Sequence, residues 1–175
     1  MKKILVIGSS GAGKSTFSRR LGKATGIEVV HLDRLYWMPN WVEPEKAEWR
    51  EILDEITQSE SWIMDGNYSG TLDFRMTRAD AIIFLDLPRT LCVWRVLKRS
   101  TLYRKIKRPD MADGCAERFD WDFIKWIWNY PTRSRPKIEA LLKRFQGEKK
   151  IIRLSSNREI ESFFKNYSSN AAQIF

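Results

Sequence analysis

Residues 4–16 read Ile4-Leu5-Val6-Ile7-Gly8-Ser9-Ser10-Gly11-Ala12-Gly13-Lys14-Ser15-Thr16. Four apolar residues, three of them β-branched, run into G-x-x-x-x-G-K-S, the spelling of a Walker A phosphate loop. Glycines at 8, 11 and 13 remove side chains, so consecutive backbone N–H groups can turn inward around a phosphate. The helix expected from Ser15 to Lys23 adds the positive end of its dipole. In such a loop Lys14 reaches the β- and γ-phosphates, and the Ser15 hydroxyl is placed to ligate the magnesium ion that bridges them. Gly8 to Thr16 are therefore read as a site for ATP with Mg2+. The loop alone leaves the destination of the phosphate open.

Length bounds the rest: 175 residues make one domain with a real core and room for a small insertion. Hydrophobic residues at 43% and charged residues at 30% fit a globular chain. No apolar run is long enough to span a bilayer, and Met1-Lys2-Lys3 is followed by too short a run for a signal peptide, so a cytoplasmic protein without a membrane partner is expected. Cys92 and Cys115 lack metal-ligand spacing and read as reduced thiols in or near the core. His31 is the single histidine, which argues against histidine zinc sites and hydrolytic triads.

The chain then alternates strand and helix. Ile27 to Leu32 reads as a second strand ending at Asp33, so strand, phosphate loop, helix and strand form a βαβ unit with its ligands at the carboxyl ends of a parallel sheet. A carboxylate at position 33 suits a group that orients, or takes a proton from, an attacking hydroxyl; a turn residue or helix cap is the structural alternative. Tyr36, Trp37 and Trp41 precede a helix expected from Pro44 to Ser59, and they read either as the wall of an acceptor pocket or as packing beneath a loop. Trp62-Ile63-Met64-Asp65 has the form of a Walker B strand, with Asp65 on the magnesium. Ala81 to Leu87 reads as a strand buried on both faces, Leu91 to Arg99 as a helix, Phe119 to Tyr130 as a helix with positions 119, 123, 126 and 130 on one face, Lys149 to Leu154 as a fifth strand, and Glu159 to Tyr167 as a closing helix.

The net charge of +9 is uneven: eight Lys or Arg fall between Arg89 and Arg108 with no acid among them. Such a run can bind nucleic acid, form a solvated face, or act as a lid whose arginines stabilise charge on a transferring phosphoryl group. Thr101 to Arg118 reads as a flap, and Arg133 and Arg135 lie just beyond it, where closure would carry them to the γ-phosphate.

In order, GSSGAGKST, an Asp ending strand two, MDGNY, FLDLP followed by Arg95 and Arg99, and an arginine-bearing lid resemble the adenylate kinase-like P-loop kinases over nearly the whole chain. HLDRLYW, the GNY loop, Arg78-Ala79-Asp80 and WDFIKWIWNY resemble, more narrowly, the topology-modulation (FlaR-type) group, described as adenylate kinase-related. The resemblance implies a three-layer α/β P-loop NTPase fold: a five-stranded parallel sheet with core segments 1–33, 61–99 and 133–175, an acceptor-binding insertion over 34–60 and a lid over 100–132. It implies that Arg95 helps hold the base, that Arg99 contacts the phosphates, and that Arg133 or Arg135 is catalytic beside Lys14 and Asp33. Adenylate kinases carry an arginine three residues after the strand-two Asp, where this chain has Tyr36, and read DGFPR where it reads Asp65-Gly66-Asn67-Tyr68-Ser69, so both arginines that grip a nucleoside monophosphate are missing. Arg34 and Arg75 are the candidates to compensate, and Asp33, Arg34, Tyr36, Trp37, Asn67, Tyr68 and Arg75 form the expected acceptor site. The expected activity is transfer of the γ-phosphoryl group to a small-molecule acceptor by a monomer or homodimer. The alternative is an ATP-binding regulatory protein that interacts with DNA and affects its topology.

Overall fold

The computed structural model describes residues 1–102, 110–115 and 119–169. Arg104, Lys105, Lys107 and Arg108 of the expected lid therefore lie outside the described residues. Strands β1 (Lys3–Gly8), β2 (Val29–His31), β3 (Trp62–Asp65), β4 (Ala81–Leu85) and β5 (Lys150–Leu154) form one parallel sheet in the order β2-β3-β1-β4-β5. The five-stranded parallel α/β architecture expected from the sequence is the one found.

Strand pleating explains the two layers of helix. Ile4 and Val6 point to one face, with Ile63, Ile83 and Leu85, and are covered by Phe17 and Leu21 of α1 (Lys14–Thr25), Cys92 and Val96 of α5 (Arg89–Leu102), Ile124 and Ile127 of α6 (Trp121–Trp128), and Phe163 and Phe164 of α9 (Asn157–Ser169). Leu5 and Ile7 point the other way, with Met64, Ile82 and Phe84. There they meet Leu32 of α2 (Leu32–Tyr36), Trp49 and Leu53 of α3 (Lys46–Gln58), Leu72 and Met76 of α4 (Leu72–Arg78), Tyr130 of α7 (Tyr130–Arg133), and Ile138 of α8 (Arg135–Arg144). Both cysteines are buried free thiols. Among the described residues no helix is long and apolar enough to cross a membrane.

Three local expectations are corrected. β2 is shorter than expected, because it pairs only with β3 (Val29↔Ile63 to His31↔Asp65) and the chain turns into α2 at Leu32. Asp33 consequently lies in the first turn of a short helix rather than at a strand end. The aromatic segment folds one position out of phase with the expected stripe: Asp120 caps α6 by accepting from Asp122 N (2.9 Å) and Phe123 N (3.1 Å), so Ile124 and Ile127 face the core and Phe119 is left 59% exposed. The aliphatic side chains fit between α5 and the sheet, and the larger rings ride at the margin. Helix α4, where no element was expected, carries Arg75.

Phe17 sets the helix that leaves the phosphate loop, with ring centroids 5.3 Å from Phe163 and 4.9 Å from Phe164. Phe17→Ala is expected to lower stability by about 3–5 kcal/mol in urea unfolding, as a buried ring lost from a three-ring cluster.

Candidate active site

The phosphate loop owes its path to close backbone approaches. Gly8 (φ +149°) and Gly11 (φ +83°) lie where a Cβ would sit 2.4 Å from the Leu85 carbonyl oxygen and 2.3 Å from that of Cys92. Ala12 N–H donates to Ser9 O (3.1 Å), and α1 starts at Lys14, with Phe17 N–H on Gly13 O (2.9 Å). Lys14 Nζ curls over the loop and donates to Gly8 O (3.1 Å) and Ser9 O (3.2 Å). Burial draws the Lys14 ammonium below its usual range, while Asp33 and Asp65 pull it the other way. Both carboxylates thus act on the loop lysine.

The carboxylates have partners that spacing did not reveal. Asp65, at the end of β3, receives the Nδ1 side of His31 at 2.6 Å, and the pair is buried, at 3% and 11% side-chain exposure. They meet because His31 and Asp65 are register partners on neighbouring strands, a relation visible only once the sheet order is known. Asp33 Oδ1 accepts the Tyr68 hydroxyl at 2.7 Å. Burial, and then the Asp33 charge, push the Tyr68 phenol well above its usual range, so it remains the donor. Asn67 Oδ1 accepts from Gly8 N–H at 3.0 Å and ties the β3 loop to the phosphate loop.

Arg75 corrects an expectation. It is fully buried, and its guanidinium donates to the carbonyls of Gly66 (2.9 Å), Asn67 and Tyr68 (3.1 Å) and lies 3.4 Å from Thr71 Oγ1. Burial pulls it down to about 9. All three nitrogens of the guanidinium are thus engaged with the 66–71 turn. Arg34 is exposed on α2.

The expected aromatic wall is contiguous with Asp33. Tyr68 lies 4.4 Å from Tyr36 and 5.4 Å from Trp49 between ring centroids, Tyr36 lies 5.1 Å from Trp37, and Trp37 lies 5.4 Å from Trp41. Trp49 is core, whereas Tyr36, Trp37 and Trp41 are half-buried, so the wall both packs and presents surface. Residues 110–115 close over its outer edge, with Asn40 N–H on Gly114 O (3.2 Å) and Cys115 Sγ on Met38 O (3.2 Å).

The arginines divide by position. Arg95 braces the back of the phosphate loop, donating to Ala12 O (3.2 Å) and to Asn157 Oδ1 at the start of α9 (2.8 Å). Arg99 lies one turn further along α5. Arg133 stacks on Trp126 with its Cζ 4.4 Å from the ring centroid. Arg135 donates to Asp86 Oδ2 (2.8 Å), which Arg153 Nε also reaches (2.9 Å), and Glu139 completes the cluster. Asp86, Arg135, Arg153 and Tyr130 line a recess of about 340 Å3 next to Ser9. Asp86, Arg153 and Tyr130 were not expected at the site; the lone acid in the apolar run FLDLP was the available signal.

Ser15 follows Lys14 in the first turn of α1, and the Asp65 and Asp33 charges act on the same lysine, so Ser15, Asp65 and Asp33 offer an all-oxygen donor set of the kind a hard divalent cation takes together with nucleotide phosphates. Among the described residues no group of three or more His, Cys, Asp or Glu forms a self-sufficient metal cage.

A phosphate loop on the central strand of a β2-β3-β1-β4-β5 parallel sheet, with Asp65 at the neighbouring strand end and Asp33 in the first turn of α2, defines a P-loop kinase-like fold. The AAA domain model (AAA_18) matches residues 4–119, and the chain belongs to that family. An uncharacterized protein of Bacillus subtilis (strain 168), YqaC, is 27% identical over 131 residues, which are 74% of this chain and 72% of the relative. Among solved structures, shikimate kinase from Acinetobacter baumannii in complex with shikimate superposes with a TM-score of 0.58 at 16% identity, covering 99% of this chain and 96% of that one. Shikimate kinase from Bacteroides thetaiotaomicron gives 0.55 at 19% identity over 96% and 97%. Deoxyadenosine kinase from M. mycoides gives 0.50 at 16% identity over 95% and 99%. These likenesses are likenesses of fold.

Gly11→Ala drives a Cβ into the Cys92 carbonyl and must displace the loop. We expect at least a tenfold loss of ATP affinity in calorimetry, with a stability loss of only about 1–3 kcal/mol, the scale of a strained backbone position.

Proposed function

We propose that the protein is an ATP-dependent phosphotransferase, related to the adenylate kinases and to the topology-modulation (FlaR-type) group, that moves the γ-phosphoryl group to a hydroxyl of a small nucleoside-like acceptor. The observation that carries the reading is the phosphate loop, with Lys14 folded over Gly8 and Ser9 and Gly8 tied to the acceptor-side Asn67, beside Asp33 and Asp65, whose charges act on Lys14. In the reaction the acceptor oxygen forms a bond to the γ-phosphorus, the bond from that phosphorus to the β–γ bridging oxygen breaks, and ADP leaves with the electron pair. Asp33, oriented by Tyr68, receives the hydroxyl proton. Lys14 and the loop amides hold the phosphates and offset the charge on the transferring group. Bound Mg2+ supplies further charge neutralisation, and Ser15 and Asp65 are the residues that would hold it. Arg95 and Arg99 serve the nucleotide, and Arg135 or Arg133 serves the transferring phosphoryl.

The acceptor reading rests on Arg75 and on the rings. With Arg75 enclosed among carbonyls and Tyr36, Trp37 and Trp41 leading away from Asp33, the described acceptor side matches a planar, uncharged alcohol better than its monophosphate.

An ATP-consumption screen over nucleosides, their monophosphates, shikimate and simple sugars tests the reading. Turnover is expected with at least one nucleoside at a kcat/KM tenfold or more above its monophosphate. Asp33→Asn is expected to lower kcat by about 10²- to 10⁴-fold with ATP affinity retained, the usual range for a lost general base. Lys14→Ala is expected to abolish transfer and weaken ATP binding. ATP binding without turnover of any acceptor, joined to salt-sensitive binding of duplex DNA, would favour the regulatory alternative.

A further inference from the structure

Arg75 stands apart from every other arginine described. It is completely buried, and the groups nearest its guanidinium are carbonyls of three consecutive residues, Gly66, Asn67 and Tyr68. An arginine buried this deeply is normally matched by a carboxylate, because desolvating the charge is costly and carbonyl dipoles compensate only when several are aimed at it together. Aiming three successive carbonyls at one point demands an unusual backbone. The chain provides it at Tyr68, a non-glycine residue in the left-handed region (φ 36°, ψ 73°), which L side chains adopt only where the surroundings impose it. Thr71 Oγ1, which also contacts the Tyr68 carbonyl at 3.2 Å, steadies the same turn from the start of α4.

The side chains leaving this turn go in two directions. Asn67 Oδ1 accepts the first amide of the phosphate loop, Gly8 N–H, at 3.0 Å. Tyr68 sends its hydroxyl to Asp33 at 2.7 Å and its ring onto Tyr36 at 4.4 Å. One is a donor-side contact and the other an acceptor-side contact, and both depend on the orientation of the same two peptide units.

We infer that Arg75 is a positioning residue which, by gathering the carbonyls of residues 66–68, fixes Asn67 on the phosphate loop and Tyr68 on Asp33 and so couples the nucleotide side of the cleft to the acceptor side. The inference rests on the kinase reading above and deepens it. Arg75 touches neither nucleotide nor acceptor; it acts through its two neighbours. The coupling also has a direction that can be measured: a change confined to Tyr68, which does not reach the phosphate loop, is felt by the nucleotide because both residues belong to one clamped turn.

The experiment is a set of double-mutant cycles read on nucleotide affinity, with melting temperature recorded alongside. Arg75→Lys keeps the charge but cannot span three carbonyls. It is expected to weaken ADP binding about tenfold in calorimetry and to lower kcat rather than raise the acceptor KM. Asn67→Ala is expected to weaken ADP binding comparably, and the double variant to be no weaker than the worse single, since both remove the same constraint. As a control, Arg75→Lys combined with Glu161→Ala, at a surface ion pair with Arg20, should be additive. A merely structural role predicts the opposite pattern, a lowered melting temperature with ADP affinity and kcat preserved, or additive effects with Asn67→Ala; either result overturns the inference. Should Arg75→Lys fail to fold, the cycle of Asn67→Ala with Tyr68→Phe takes its place: non-additivity in ADP affinity supports the clamped turn, and additivity overturns it. Parent protein that binds no ADP would remove the kinase reading and this inference together, whereas intact binding with an additive cycle removes the positioning role alone.

Discussion

Because Ile4 to Ile7 are fully buried and β1 is paired on both edges, the chain leaving β1 has no freedom to choose where it turns. It must emerge between the ends of β3 and β4, and it can do so only by passing within contact of the Leu85 and Cys92 carbonyls, which Gly8 and Gly11 allow. That steric constraint places Lys14 at the start of α1 and aims it back across the loop. It also brings the end of β3 alongside, so Asp65 and Asn67 reach the same small volume. The site follows from closing a buried parallel sheet around one central strand: Asp65 ends β3 beside it, and Asp33 enters from the first turn of α2, two residues beyond the His31 that pairs with Asp65.

This ordering explains which parts could be read from the residues alone. The phosphate loop is local: its chemistry depends on side chains missing at fixed spacing, and that spelling survives without knowledge of any neighbour. The strands from Trp62 and Ala81 are equally legible, since a strand covered on both faces must be apolar along its length. Asp33 and Asp65 were readable as acids that end apolar runs. Their partners were not, because His31 meets Asp65 through strand register and Tyr68 meets Asp33 through a turn held by a residue further along the chain.

Arg75 shows the opposite failure. A cation in a chain lacking the expected phosphate-gripping arginines invites assignment to the acceptor, and charge alone supports that. Burial decides otherwise. The Arg75 guanidinium faces three carbonyls of one turn, and on the kinase reading the acceptor side is then left to Tyr36, Trp37 and Trp41. The residue type was legible and its orientation was not, because α4 left no periodic signal over its seven residues. The aromatic segment misleads in a related way: four rings at helical spacing outweigh two isoleucines on a hydropathy reading, but the space between α5 and the sheet takes the isoleucines.

The arginines beyond the lid meet a similar test of strength. Arg135 and Arg153 share one carboxylate, Asp86, with Glu139 beside them, and their side chains are 37% and 44% exposed. The guanidinium ends of these pairs are open to water and side-chain entropy opposes fixing them, which keeps the net contribution of each pair modest. Asp86 itself is only 11% exposed but is divided between two cations, so a triphosphate, with several charged oxygens, competes for one of the two guanidinium groups. On the kinase reading, Arg135 is the member of the cluster that would exchange Asp86 for a phosphate, with Arg153 left to neutralise Asp86. Arg75 occupies the other extreme, fully buried with its guanidinium on the carbonyls of residues 66–68. The two arginines differ in depth more than in chemistry, and depth separates a group that can answer a ligand from one that keeps the cleft in shape.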